Sequence, residues 1–245
     1  MKEIQEYFHI EKPIIGMIHT KGTDDEDVFR RAKEEIDIYR QHHVDAVLVE
    51  PYFGTYPQVA RVLEYLKNAQ FGIPYGVNCL NVDAMGFELA IQYDCAFLQL
   101  DSVVGHVKPR DEPTLDAFFR LYRSRCQAFV MGGVRFKYQP VLSEHTVEED
   151  LQIATTRCDG VCVTQDKTGQ ETSLEKIITF RRTLGDFPLF VCAGVTPENI
   201  ASQLQYADGA VVGSYFKQGH KDSGDLCPEY VQQLMDAVQL ARNSH

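Results

Sequence analysis

The residues able to do chemistry recur at one kind of place, the end of a short apolar run. His19 follows Gly16-Met17-Ile18, Glu50 closes Ala46-Val47-Leu48-Val49, and Asn78 closes Tyr75-Gly76-Val77, with Asp83 beyond it. Gln99 and Asp101 flank Leu100, and Lys137 sits in Val134-Arg135-Phe136-Lys137-Tyr138. Thr164 ends a further run and is followed by Asp166 and Lys167. A carboxylate at Glu50 suits a general base or a divalent-cation ligand. A histidine is the side chain whose ordinary titration lies nearest neutrality, which suits His19 to proton transfer, with a hydrogen-bonded structural group as the plain alternative. Lysine at Lys137 can anchor phosphate, stabilise an enolate, or form a Schiff base if desolvated. It can also simply pair with Glu50 or Asp101. If Val134–Tyr138 is a strand, Arg135 and Lys137 share one face and the apolar residues the other. The apolar face then meets surrounding helices and Lys137 aims inward.

The last two runs differ in kind. Ala193-Gly194-Val195-Thr196-Pro197-Glu198-Asn199 and Val212-Gly213-Ser214 place small residues where backbone N–H groups can approach an anion, and helix N-termini add positive dipole ends. The alternative is that Gly194 and Gly213 only turn the chain. The candidate catalytic set is therefore Lys137, Glu50, His19, Asp101 and Asn78. The candidate phosphate cup is Gly194, Val195, Gly213 and Ser214, and further substrate contacts are Asp83, Gln99, Thr164, Asp166 and Lys217. No organic cofactor is implied, while Glu50, Asp101 and His19 permit a divalent metal such as Mg²⁺. His42-His43 precede the second run, at the opposite face, and read as structural.

Eight elements must position these groups. Strands are expected at Pro13–Ile18, Ala46–Glu50, Tyr75–Cys79, Ala96–Leu100, Val134–Tyr138, Gly160–Thr164, Leu189–Ala193 and Gly209–Val212. Amphipathic stretches separate them. They have an acidic first turn at Asp24-Asp25-Glu26-Asp27, a break at Phe71-Gly72-Ile73-Pro74, Thr196-Pro197 opening the seventh helix, and helical spacing over Glu148–Cys158, Ser173–Leu184 and Glu229–Arg242. Eight βα units in 245 residues predict one α/β domain over 1–245, a (β/α)8 TIM barrel of the phosphate-binding type. An open doubly wound sheet is disfavoured because no Gly-x-Gly-x-x-Gly follows the first strand. In a barrel, working groups sit on the loops after the strands. Two of these loops, Asp101–Pro113 and Ser214–Pro228, are long enough to act as lids.

Composition narrows the classes. A formal charge of −11 repels a phosphate lattice, so no nucleic-acid partner is expected, though a small anion can still bind in a pocket. No apolar run spans a bilayer and Met1-Lys2-Glu3-Ile4-Gln5-Glu6 is not a signal peptide, which predicts a cytoplasmic protein. The seven cysteines show no Cys-x-x-Cys and several lie in apolar runs, as buried reduced thiols do. A homo-oligomer is left open. Walker A, His-Glu-x-x-His, Gly-x-Ser-x-Gly and EF-hand patterns are missing.

Taken in order, Lys12-Pro-Ile-Ile-Gly-Met-Ile-His19, Val44-Asp-Ala-Val-Leu-Val-Glu50, Ile73-Pro-Tyr-Gly-Val-Asn78 with Asp83, Lys137, Thr164 with Thr168-Gly169, Gly194-Val-Thr-Pro-Glu-Asn199, and Ala207-Asp-Gly-Ala-Val-Val-Gly213 with Phe216-Lys217 resemble the BtpA family of α/β-barrel proteins. This family is named for a protein implicated in photosystem I biogenesis and includes the sugar-operon protein SgcQ. The resemblance implies a phosphate-binding barrel and hints at a carbohydrate-derived substrate. It departs at Pro51-Tyr52-Phe53-Gly54, at Gln99-Leu100-Asp101 and at Tyr138, which makes the chain a divergent member. The expected function is an enzyme acting on a small phosphorylated sugar or related metabolite by isomerisation, epimerisation or lysis. The other reading is a non-catalytic barrel that binds a metabolite or serves assembly or regulation.

Overall fold

In the computed structural model, residues 2–104, 112–142 and 144–243 are described. Strands β1 (Ile14–His19), β2 (Ala46–Glu50), β3 (Tyr75–Asn78), β4 (Phe97–Leu100), β5 (Phe129–Gly133), β6 (Gly160–Val163), β7 (Leu189–Val191) and β8 (Gly209–Val212) pair in chain order, all parallel. β1 closes on β8 through Ile14↔Ala210 and Gly16↔Val212, so the sheet is a (β/α)8 barrel. A short helix α1 (Ile4–Phe8) comes first. Then α2 (Asp25–Gln41), α3 (Tyr56–Ala69), α4 (Asp83–Gln92), α5 (Glu112–Arg123), α6 (Val147–Thr155), α7 (Leu174–Leu184), α8 (Ile200–Gln203) and α9 (Pro228–Asn243) each follow a strand.

Strands covered on both faces bury nearly every residue, Tyr75 at the start of β3 being partly exposed, and alternation sorts the side chains into two cores. Ile14, Ile18, Val47, Val49, Val77, Leu98, Val130, Val161, Val191 and Val212 face the helices. Ile15, Met17, Leu48, Phe97, Phe129, Met131, Cys162, Phe190 and Val211 fill the barrel. At the base, large rings interlock with glycines. A Cβ on Gly76 would lie 2.5 Å from the Phe97 ring, and one on Gly209 2.7 Å from Phe190. The base is sealed by α1, whose Phe8 ring lies 4.9, 5.9 and 6.0 Å from Phe97, Phe129 and Phe190. Nothing in the sequence pattern signals a helix of five residues, and α1 was not expected.

Strand five is displaced from its expected position. β5 is Phe129–Gly133, in register with Phe97–Leu100, and Val134–Tyr138 is the loop that leaves it, with Arg135 and Tyr138 at φ of 47° and 61°. The pair Gly132-Gly133 reads as a strand breaker. It is instead the strand's end, because the segment after β4 presses against it. A Cβ on Gly133 would meet the Asp101 carbonyl at 2.2 Å, and one on Gly132 would meet Val103 at 2.7 Å. Arg135 and Lys137 consequently do not share a strand face. Arg135 turns outward to Asp150 (Nε to Oδ2, 2.8 Å), while Phe136 joins the inner core.

The seventh helix is also shorter than expected. Thr196-Pro197 does not open it; Asn199 instead accepts the Thr196 N–H and donates to the Gly194 carbonyl, closing a turn ahead of the four-residue α8. The loop after β8 winds through 3₁₀ turns at Ser214–Phe216 and Gln218–His220. Of the loop after β4, 101–104 is buried and 105–111 lies outside the described residues. All seven cysteines are free, and only Cys227 is not buried. Among the described residues, no helix is long and apolar enough to cross a membrane.

Candidate functional site

Alternation carried one step past the last apolar residue of each strand decides what enters the mouth. Ile15 and Met17 point inward, and so does His19; Leu48 is followed by Glu50, Phe97 by Gln99 and Asp101, Cys162 by Thr164. All of these are buried. Two adjoining cavities result. The larger, of about 250 Å³, is lined by Glu50, Tyr52, Asn78, Gln99, Asp101, Lys137 and Tyr138. The narrower, of about 30 Å³, is lined by His19, Glu50, Tyr52, Lys137, Gly169, Gly194, Val195, Gly213, Ser214 and Asp222. Glu50, Tyr52 and Lys137 form the wall they share.

In the larger cavity the Asn78 amide donates to Gln99 Oε1 at 3.1 Å and to Asp101 Oδ1 at 3.0 Å, and its own oxygen accepts the Leu80 N–H. Burial pushes the Asp101 carboxyl up to about 6, opposed by the Asn78 hydrogen bond and by the Lys137 charge, and reinforced by Glu50. A carboxyl held there can donate as well as accept a proton near neutrality. Lys137 reaches the mouth from the loop after β5, its backbone N–H tied to Thr164 Oγ1 at 2.7 Å and its ammonium 5.8 Å from the Phe136 ring centre. Tyr138 OH accepts the Thr168 N–H, and Tyr52 and Thr168 both line the narrow cavity.

On the other side His19 Nε2 lies 3.1 Å from Glu50 Oε2, and its ring stacks on Tyr52 with centres 4.7 Å apart. Lys217 Nζ lies 2.8 Å from His19 Nδ1. Behind it is Glu35 on α2, buried, with one oxygen lacking any hydrogen-bond partner among the described residues; burial pushes its carboxyl up to about 7. Burial also pulls the Lys217 ammonium down, opposed by the charges of Glu35, Asp222 and Glu50.

The glycine-lined end is built from three loops. Gly194 has φ of 66° and lies so close to the 170–171 backbone that a Cβ would sit 2.3 Å from Glu171 N, so no other residue fits that turn without strain. Among the described residues, the N–H groups of Gly194, Val195, Gly213 and Ser214 have no intrachain acceptor.

Several expected residues stand elsewhere. Lys217 is completely enclosed and lines neither cavity, so it cannot touch a substrate there; it touches His19 instead. Asp166 is exposed and lines an outer groove with Arg135 and Lys176. Thr164 holds the Lys137 backbone, and Asp83, in the first turn of α4, lines neither cavity, although its charge reaches Asp101. Among the described residues no three His, Cys, Asp or Glu side chains group as metal ligands, so Glu50, Asp101 and His19 do not form such a set. Glu35 and Asp222 were missed. Glu35 had a signal, for it lies on the apolar stripe Val28, Ala32, Ile36, Tyr39 of α2.

Known proteins share both sequence and fold with this chain. An uncharacterized protein of Pyrococcus furiosus is 27% identical over 91% of this chain and 94% of its own length. The photosystem I biogenesis protein BtpA of Synechocystis is 22% identical over 94% and 89%. Among solved structures, N-(5'-phosphoribosyl)anthranilate isomerase from Pyrococcus furiosus superposes with a TM-score of 0.60 at 15% identity, covering 94% of this chain and 99% of that one. N-acetylmannosamine-6-phosphate 2-epimerase from Clostridium perfringens does so with 0.59 at 14%, covering 87% and 90%. At these identities the solved structures speak to the fold alone, and both have the barrel found here. The model of the BtpA family matches residues 10–240, and the chain belongs to that family.

Proposed function

We propose that the mouth binds a small phosphorylated sugar or related metabolite and moves a proton on it, as an isomerase, epimerase or lyase. One observation carries this reading. Four residues whose backbone N–H groups have no acceptor among the described residues line the same cavity as Lys137, and Glu50 and Lys137 join that cavity to the one holding Asp101. Backbone N–H groups in a glycine-rich concavity favour an anion, and a phosphoryl group held there sets the rest of the molecule against the acids. The two solved neighbours named above carry phosphorylated substrates in their names, which agrees with this reading.

Glu50 then removes the proton from the carbon beside the substrate's carbonyl, whose oxygen takes up the electron pair. Lys137 stabilises the negative charge that develops, and Asp101, oriented by Asn78, returns a proton from the larger cavity. The narrow cavity has room for little more than one water, so side chains that line it, Tyr52 and Thr168 among them, must move apart as the phosphoryl group enters.

The test is a thermal-shift screen of phosphorylated sugars, followed by product analysis in D₂O. A ligand that stabilises the protein should be converted with deuterium gained at carbon. Ser214→Asp should abolish that stabilisation, and Lys137→Met or Glu50→Gln should lower turnover by about 10²-fold or more. Full turnover in either of the last two would sink the assignment. A stabilising ligand that stays chemically unchanged would mean binding without catalysis.

A further inference from the structure

Lys217 leaves β8 into the fold rather than into solvent. It is fully enclosed, its backbone pairs with Leu226, and its ammonium reaches His19 Nδ1 at 2.8 Å and the Asp222 carbonyl at 3.4 Å. A protonated lysine has three donors and no acceptor. The nitrogen it addresses must therefore be the bare one, and the ring's single proton lies on Nε2. That nitrogen faces Glu50 Oε2 at 3.1 Å, and stacking on Tyr52 holds the ring in plane. The opposite tautomer would set a bare nitrogen against a carboxylate and an N–H against an ammonium, two repulsive contacts among three buried side chains.

We propose that Lys217 is a positioning residue: its enclosed ammonium fixes the His19 proton on Nε2, so that His19 acts as a donor that aims Glu50 and leaves proton abstraction to Glu50 alone. This rests on reading the mouth as a catalytic site, and it divides the labour that the sequence left shared between His19 and Glu50. One Glu50 oxygen is occupied by His19, and the other is left for the substrate. Because Nδ1 is blocked by a group that is itself protonated, His19 has nowhere to pass a proton. A proton taken by Glu50 is therefore not passed on through His19, and its return to carbon is left to Asp101 on the other side of the mouth. The charged groups facing Lys217 are Glu35 from α2, Asp222 from its own loop and Glu50 from β2, which oppose the downward pull of burial on its ammonium, and Lys21 from the loop after β1, which adds to it.

The test reads the histidine ring directly and needs no substrate, so it is independent of whether a phosphorylated ligand is found. Long-range ¹H–¹⁵N correlation spectra of the labelled full chain at about pH 6, with His19 assigned from its loss in His19→Asn, should show one proton-bearing nitrogen, Nε2, and a bare Nδ1. In Lys217→Met, Nδ1 should gain a proton and the ring become an imidazolium paired with Glu50. A wild-type ring protonated on Nδ1, alone or with Nε2, overturns the proposal. So does a folded Lys217→Met whose ring spectrum is unchanged. Should that variant not fold, the wild-type spectrum decides by itself. Once a substrate is known, Lys217→Met should lower kcat about tenfold or more with little change in KM, because Lys217 touches Glu50's partner and not the ligand.

Discussion

Asp101 is a carboxylate that the barrel holds against its own stability. Its carboxyl is pushed up to about 6 from an ordinary 3.8, chiefly by burial. A group raised in the folded state favours folding below its unfolded value and loses that contribution as pH rises through the folded one. Above pH 6 the ionised, buried Asp101 thus costs up to about 3 kcal/mol. Asp101→Asn keeps an acceptor for the Asn78 amide and removes the charge. It should raise the melting temperature at about pH 8 and leave it nearly unchanged at about pH 4; an equal shift at both would show that burial of charge is not the cause. Residues that destabilise in this way belong at sites of function more than of structure. At this scale much was legible. Period-two alternation sends His19, Glu50, Asn78, Gln99 and Asp101 inward without a coordinate in hand. Lys217 was not legible as a buried group, because a lysine in a polar loop gives no sign that the chain folds back over it.

β5 shows why elements are read less securely than residues. Phe129-Val130-Met131 is apolar, but Gly132-Gly133 ends the pattern early, and the β-rich run Val134–Tyr138 beyond it looks the better strand. What decides is a contact far away in sequence: the segment after β4 crosses β5 so closely that Cβ atoms at Gly132 and Gly133 have no room. Alternation counted from Val134 therefore starts beyond the true strand, Phe129–Gly133. Lys137 still reaches the mouth, by way of a loop in which Arg135 and Tyr138 adopt left-handed conformations. Gly133→Ala should lower stability by about 2 kcal/mol in urea denaturation and disturb the site through the Asp101 backbone it would strike. A variant as stable as the wild type would mean that the approach is looser than 2.2 Å. The helices were read well where their caps are local, as at Ser173, which caps α7 by accepting the Lys176 N–H. α8 was overestimated because Asn199 spends its side chain on closing a turn.

For the whole molecule, alternating strands and helices were enough to predict the closed barrel, since eight βα units in a chain this long leave few other arrangements. What alternation could not reveal is that the two ends of the barrel are built differently. The mouth is polar, charged and hollow, whereas the base is a block of phenylalanine rings capped by α1. Phe8→Ala should therefore cost about 3–5 kcal/mol while leaving ligand affinity at the mouth within about twofold of wild type; a large loss of affinity would mean that the ends are coupled through the interior stack. The same cap has a consequence for how the chain is made. Phe8 is synthesised well before Phe97 and Phe129, and before Phe190 on the penultimate strand, so α1 spends most of translation with no surface to dock on. Closing the base is a long-range event that waits for nearly the whole chain, and until then a short sticky peptide is left for chaperones to shield.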